Sequence, residues 1–576
     1  MDKYSQFIID LLEPELNCDK TKIFEMLERP KDENLCDLAF PCFFLAKEFK
    51  KAPNQISQDL CKNASERLLQ IPETERLIDK IESVGPYVNF FLNKPLFVSN
   101  VLNQVLNKKD SYFSCDIGKD QVVVMDYSSP NIAKPFSIGH LRSTNIGSCI
   151  KNILKACNYK VIGINHLGDW GMQFAKIIVA YRKWSDDSIF EGNTVKNLLN
   201  LYVKYHQEAK LDETLDLQAA KIFNKLEAKD PELIQLWKKF LEIGLIECKE
   251  IYEILEVEFE HYTGESFYND KMEATIAKLN AQKLTRQSEG ALIIDLEEYG
   301  MPPFILKKSD GGTLYATRDL TAIEYRQKEY NFDQAIYIVG SEQKLHFKQL
   351  FKVCEILGHN WASKCSHVDF GLIHFKDGAM STREGKVIFL KDVINKATDL
   401  AKEIIKEKNP DLENIDKTAQ AIGIGAIKFF DLSSKRTRDI QFDWNEILNF
   451  DGETGPYIQY THVRLASLLR KSYPLSFSDE IKVFNLLETK DEFYLVKRLS
   501  EFKSILEKSA NEFEPSLIAQ YLISLSKTFN RYYNASRIIN EDDQELTKQR
   551  MHLVFAIKLA INNGLSLLGI KAPERM

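Results

Sequence analysis

The chain has 576 residues, 44% of them hydrophobic and 28% charged, with a formal net charge of −7. That composition is ordinary for a globular protein; no apolar stretch reaches the ~20 residues a membrane helix needs, and the bulk charge does not mark a nucleic-acid binder. Ten cysteines are scattered without a CxxC pair or Cys/His ligand spacing, which reads as reduced, mostly packed thiols and excludes a structural zinc. The acidic start, with Asp2, Asp10, Glu13 and Glu15, fits neither a secretory signal nor an Arg-rich transit peptide, so a cytoplasmic setting with no membrane partner is expected.

In chain order, residues 1–110 mix short helical patterns with a strand at 87–92. From residue 121 the texture changes. The apolar run VVVM at 122–125 reads as a buried strand, Ile146, Ile150, Ile153 and Leu154 as one face of a helix, and KVIGINHLG at 160–168 as the next strand. Strand, helix, strand begins a doubly wound parallel sheet, whose ligands lie beyond the C-terminal ends of its strands. Leu198, Leu201, Tyr202 and Tyr205 place a helical insertion at about 195–260. QAIYIVG at 334–340 and HVDFGLIHF at 367–375 restore the strand pattern. After about residue 450 the chain reads as helix, with Leu517, Tyr521, Leu525 and Phe529 on one face. The expected fold class is α/β: a doubly wound, Rossmann-like parallel-sheet domain at 116–449, preceded by an α+β domain at 1–115 and followed by an all-α domain at 450–576.

The loop between the first strand and its helix, SSPNIAKPFSIGHLRST at 128–144, carries the chemistry. A strand-to-helix loop aims backbone N–H groups and the positive end of a helix dipole at one spot, which suits phosphate. Lys134, His140 and Arg142 read as cationic donors beside it, and Gly139 leaves room for a flat base against the backbone.

The PxxIGH element resembles the HIGH signature of class I aminoacyl-tRNA synthetases. The longer run of motifs resembles the arginyl-tRNA synthetases: NHLGDWGMQF at 165–174, SDGGTLYATRDL at 309–320, GSEQKLHFKQLF at 340–351 and GAMSTREGKVI at 378–388. DLAFPCFFLAK at 37–47 and GPYVNFFL at 85–92 resemble that family's amino-terminal extension. GPYIQYTHVRL at 455–465 and the closing LLGIKAPERM resemble its anticodon-binding domain. The resemblance implies ATP-dependent activation of L-arginine and its transfer to the terminal adenosine of arginine tRNA, with Mg²⁺ carried by the ATP and the enzyme a monomer. A catalytically inactive tRNA-binding or arginine-sensing relative is the alternative.

A guanidinium needs planar acceptors and keeps its charge. Tyr315 and Asp319 are four apart and share a face if YATRDL opens a helix. By resemblance they line the arginine pocket, with Asp319 on the guanidinium, and Asp126, Asn131 and Gln343 hold the rest of the amino acid. The plain alternative is that Asp319 pairs with Arg318 or Arg326 on a helix surface.

The resemblance assigns ATP contacts to Pro130, Ser137, Gly139, His140, Gly168, Asp169, Met380, Ser381, Thr382 and Lys386. The catalytic groups it implies are Lys134, His140, Ser381 and Arg383. Ser137 stands where the signature usually begins with His. Both lysines of the general KMSKS loop are missing from the 379–383 run, and Lys134 occupies the place of a lysine thought to compensate in the family. His166, Asp169 and Trp170 are expected to shape the adenosine side. No editing domain is apparent, which fits a site built on charged, bidentate hydrogen bonds. For tRNA, Tyr457, Tyr460, His462 and Arg464 cluster, and Arg531, Tyr532, Tyr533 and Arg537 interleave basic and aromatic side chains. Some of these tyrosines are expected to be core residues. The amino-terminal domain is expected to touch the tRNA elbow, and tRNA binding to order the active site.

Overall fold

The computed structural model describes residues 3–16, 19–30, 35–192, 194–309, 315–375, 388–472 and 481–576. The alternation of strand and helix after residue 121 forms a five-stranded sheet that is parallel throughout. Its elements are β1 (Val122–Asp126), α1 (Leu141–Ala156), β2 (Lys160–Asn165), α2 (Pro231–Leu255), β3 (His261–Tyr262), α3 (Tyr315–Tyr330), β4 (Gln334–Gly340), α4 (Lys344–Ile356), β5 (Cys365–Phe370) and α5 (Ile415–Leu432). The strand order is β5-β4-β1-β2-β3. β1, β2 and β4 are short runs rich in β-branched residues and are largely buried, as a parallel sheet requires; Val123, Val124, Ile164, Ile336 and Ile338 are buried, whereas the two-residue edge strand β3 is exposed. Tyr337 of β4 lies opposite Asp126 of β1, and Asp126 lies opposite Ile164 of β2. The winding reverses between β1 and β4, so the crevice of this sheet opens where Asp126 ends its strand.

The inserted helices do more than separate two halves of the sheet. Met172–Trp184, Thr194–Glu208, Thr214–Glu227 and α2 share one apolar core with Ile132 and Ala133 of the 128–144 loop. A Cβ on Gly244 of α2 would stand 2.1 Å from Ile132 Cγ2, so that glycine lets the helix backbone press directly on the loop.

Two features depart from the sequence reading. HVDFGLIHF is not one strand: after Cys365–Phe370 the chain turns at Gly371, and Ile373–Phe375 pairs in parallel with Ile440–Phe442. A Cβ at Gly371 would strike Asp439 and the Arg438 backbone, which is why the break falls there. A three-stranded antiparallel sheet, Arg286–Ser288, Ala291–Ile294 and Phe304–Lys307, also stands before α3.

By contact density the chain divides into two units. One contains Met1–Lys109, Ser472–Ser500 and Arg531–Ala556; the other contains Asp110–Lys471, Glu501–Asn530 and Ile557–Met576. Residues of the segment after 450 fall in both units. In the first unit Leu38–Pro41, Tyr87–Leu92 and Ile78–Val84 form an antiparallel sheet backed by Pro53–Gln70. A buried Asp37–Lys497 ion pair at 3.2 Å joins that sheet to Lys490–Glu512, and Asp37 also accepts the Leu92 N–H. All nine cysteines among the described residues are free.

Candidate active site

The loop after β1 starts with a backbone that most residues avoid. Ser128 and Ser129 both have positive φ, 69° and 44°. Each such residue costs on the order of 1–3 kcal/mol and persists only where its surroundings fix it. Here the fixing groups are hydroxyls. Ser143 Oγ accepts the Ser128 N–H at 2.9 Å, and Ser128 Oγ meets Thr144 Oγ1 at 2.7 Å and Tyr252 OH at 2.8 Å. Ser129 Oγ donates to Asp126 Oδ1 at 2.7 Å and accepts the His166 N–H at 3.3 Å. The loop is then stitched to the NHLGDWG turn: Gly168 N–H donates to Pro130 O at 3.0 Å, and Ile132 N–H to Gly168 O at 3.1 Å. Asn131 Oδ1 accepts the Ala133 N–H at 3.1 Å.

The signature itself is a single 3₁₀ turn, Ile138–His140, running into α1. Gly139 is exposed and Lys134 is half-buried beside Tyr202. The Ser137 N–H donates to His140 Nδ1 at 3.1 Å. A backbone N–H can only donate, so Nδ1 is unprotonated and the ring carries its proton on Nε2. Burial, and then the Lys134 charge, push the His140 imidazolium down to about 4. His140 is therefore a neutral donor, not the cation the sequence suggested. Arg142 is corrected as well. Its side chain is 1% exposed, ion-paired with Asp431 at 2.8 Å and donating to the carbonyls of Gly371, Arg438 and Arg436. It fastens α1 to α5 and to the Gly371 turn, and points no charge at a ligand.

On the neighbouring wall, Tyr315 and Asp319 do share one face of α3, and a third side chain joins them. His346 Nε2 lies 2.7 Å from Asp319 Oδ2, and its ring packs edge-to-face on Tyr315 at 5.4 Å. His166 Nε2 stands 3.8 Å from Asp319 Oδ1. Burial alone would raise the Asp319 carboxyl, but the His346 hydrogen bond and the charges of His346, His166 and Arg326 outweigh it and hold it below its usual value. The arginines proposed as alternative partners are taken elsewhere: Arg318 by Glu265 at 3.2 Å, and Arg326 by Asp126 at 2.8 Å with both side chains buried. Asp126 is thus a clamped carboxylate, whereas Asp319 is half-buried between two imidazoles. Gln343 is exposed in the turn after β4, just before α4.

Other assignments land differently. Both carboxylate oxygens of Asp169 accept from Ser266, at 2.7 and 2.6 Å, and its carbonyl accepts from Trp237. It braces the turn rather than presenting a group to nucleotide. Trp170 packs edge-to-face on Trp237 at 5.2 Å. His166 Nδ1 meets Thr263 O at 3.1 Å, which turns its other nitrogen to Asp319 rather than to an adenosine pocket. Met380, Ser381, Thr382, Arg383 and Lys386 lie outside the described residues.

Of the tRNA candidates, Tyr460 is exposed with the Arg464 guanidinium 5.0 Å over its ring, and Tyr457 is half-buried. His462 is buried against Pro573 O, and Tyr532 is buried on Glu492, so both are core residues. Arg531 and Arg537 are exposed and pair with Asp491 and Asp542; Tyr533 is half-buried. The two groups fall in different compact units. Sequence reasoning missed His346, although it sits three residues after Gln343 in a quoted motif, and it named Arg326 only as an alternative partner of Asp319, whereas the partner is Asp126.

A parallel sheet with a strained loop and helix at its switch point, beside a wall of fixed carboxylates, is an arrangement common in nucleotide-binding α/β domains. Comparison with known proteins narrows this. The family model described as tRNA synthetases class I (R), catalytic domain, matches residues 101–444. The arginyl tRNA synthetase N terminal domain matches 4–92, and the DALR anticodon binding domain matches 458–576. The chain is 45% identical over 578 residues to the arginine–tRNA ligase of Halothermothrix orenii, covering 100% of both chains. It is 46% identical over 551 residues to that of Clostridium kluyveri, covering 96% of each. The arginyl-tRNA synthetase of Plasmodium falciparum superposes with a TM-score of 0.80 at 25% identity, covering 100% of both chains. The chain belongs to the arginyl-tRNA synthetase family of class I aminoacyl-tRNA synthetases. The relatives bear the name of active ligases, which favours the enzymatic reading over an inactive one.

Proposed function

We propose that this chain activates L-arginine with ATP and transfers it to the terminal adenosine of arginine tRNA, using the crevice between the signature loop and the Asp319 wall. The observation that carries the reading is the isolation of Asp319 from Arg318 and Arg326. A carboxylate on this wall that forms no ion pair with a neighbouring arginine suits an incoming guanidinium. Asp126, Asn131, Tyr315 and Gln343 complete the amino-acid side.

In the first step the arginine carboxylate attacks the α-phosphate in line and pyrophosphate leaves. Catalysis is then positioning and charge stabilisation rather than acid–base work. Pro130, Ser137, Gly139, His140 and Gly168 shape the nucleotide side, with His140 donating through Nε2–H. Lys134 supplies positive charge close to the signature, and Ser381 and Arg383, with Met380, Thr382 and Lys386, are assigned to the pyrophosphate side. Mg²⁺ enters with ATP. Among the described residues no three His, Cys, Asp or Glu side chains converge to hold a metal. Tyr457, Tyr460, Arg464, Arg531, Tyr533 and Arg537 are the proposed tRNA contacts, in a monomeric, cytoplasmic enzyme. ATP–pyrophosphate exchange dependent on arginine and on arginine tRNA tests the reading; strong exchange without tRNA defeats the claim that tRNA orders the site.

A further inference from the structure

The Asp319 wall contains a residue with no assigned role. His346 is the third residue of α4, in its first turn, and its ring is enclosed by Tyr315 at 5.4 Å, Phe347 at 5.3 Å and Phe304, stacked at 6.4 Å. Its side chain is 12% exposed, half the exposure of the 24% of the carboxylate it touches. An ionised carboxylate only accepts, so His346 places an Nε2–H on Asp319 Oδ2 at 2.7 Å. The other oxygen, Oδ1, faces His166 Nε2 only at 3.8 Å, beyond hydrogen-bond range.

We infer that His346 is a positioning residue for arginine recognition: it fixes the Asp319 carboxylate plane and leaves Oδ1 to the guanidinium. A guanidinium is planar and its donors are set in a rigid fork, so its affinity depends on the acceptor's orientation as well as its charge. A carboxylate free to turn about its own bond presents that edge only part of the time. His346 removes the turn with a donor whose ring is held on three sides by aromatic packing. The charged groups around Asp319 do not replace this function. Arg326 is engaged with Asp126, Arg318 with Glu265, and His166 is anchored on Thr263 O. The inference rests on the reading of Asp319 as the guanidinium acceptor.

Two variants separate orientation from packing. His346→Phe keeps an aromatic ring among Tyr315, Phe304 and Phe347 and removes the donor. His346→Gln removes the ring and keeps an amide donor at about the reach of Nε2. In aminoacylation at saturating ATP and tRNA, His346→Phe is expected to raise KM for arginine about 10- to 100-fold, the range for losing a hydrogen bond to a charged group. Its kcat and its KM for ATP should stay near wild type, and His346→Gln should restore KM for arginine to near the wild-type value. A structural role predicts the reverse order, with His346→Phe the milder change. That order, or an unchanged KM in His346→Phe, or parallel losses in kcat and KM for ATP, overturns the inference. Asp319→Asn measured alongside separates the two levels. If it raises KM for arginine while His346→Phe does not, only the positioning role falls; if it has no effect, the pocket reading falls and takes the inference with it.

Discussion

The two sides of the crevice are built on opposite principles. The signature loop is held by hydroxyls and backbone groups around two left-handed serines, and its histidine is neutral. The opposite wall is ionic: Asp126 on Arg326, Arg318 on Glu265, and Asp319 between two imidazoles. The difference follows from what each side is assigned to hold. A triphosphate brings its own charge and needs N–H donors in a fixed shape, whereas a guanidinium must find acceptors already ionised. It also teaches how to read the basic residues. Most of the arginines near the site neutralise the protein's own carboxylates, and cationic residue types in a signature do not by themselves mean cations at the ligand.

The largest effects should come from breaking buried ion pairs. Arg142→Met strands Asp431, whose side chain is fully buried, and should destabilise the fold by about 3–5 kcal/mol in urea unfolding. Adding Asp431→Leu should recover part of that loss; if the single variant is as stable as wild type, Arg142 is not the fastening described. Asp319→Asn should raise KM for arginine by an amount on the order of 3–5 kcal/mol with little change in KM for ATP. An unchanged KM places Asp319 outside the pocket.

On the nucleotide side the expected effects are smaller. Lys134→Ala should slow adenylate formation by about 2.7–4 kcal/mol in the barrier, as loss of a catalytic donor does, and spare arginine binding. Wild-type turnover would shift that role to Arg383 or Lys386. His140 sharpens the contrast through pH. Its folded value of about 4 lies below its ordinary 6.5, so the unfolded chain binds its proton first. The stability contributed by the neutral ring is therefore full above about 6.5 and is lost as pH falls through about 4. Compared with His140→Asn, the wild type should lose stability between those values, and exchange should show no ionisation of this ring near 6.5. A His140 titration near 6.5 by NMR contradicts the neutral assignment. Ser137→His should change exchange by less than about tenfold, because the shorter bond to His140 Nδ1, at 3.1 Å, comes from the Ser137 backbone, which any residue supplies, and only the 3.3 Å contact of Ser137 Oγ is lost.

The sequence made some of this accessible and hid the rest for physical reasons. β1, α1 and β4 were legible because β-branched runs and a helical period announce themselves locally, and Tyr315 with Asp319 was legible because four-residue spacing fixes one face of a helix. The antiparallel sheet before α3 was not, since strands of three or four residues carry no period. The break at Gly371 was not, because its cause is Asp439 and Arg438, far away in the chain. Spacing places a residue on a face but does not say which partner is buried with it. Hence the residue types alone do not show that Arg142 is spent on Asp431, that His166 faces Asp319, or that His346 bonds Asp319.

The most direct test of the whole account is charging of arginine tRNA by the full-length chain, with each of the twenty amino acids supplied singly beside ATP. The account predicts aminoacylation with arginine alone, and arginine-dependent pyrophosphate exchange that appears only when the tRNA is present. Charging with a different amino acid, or none with arginine under conditions where the chain binds both ATP and tRNA, would contradict it.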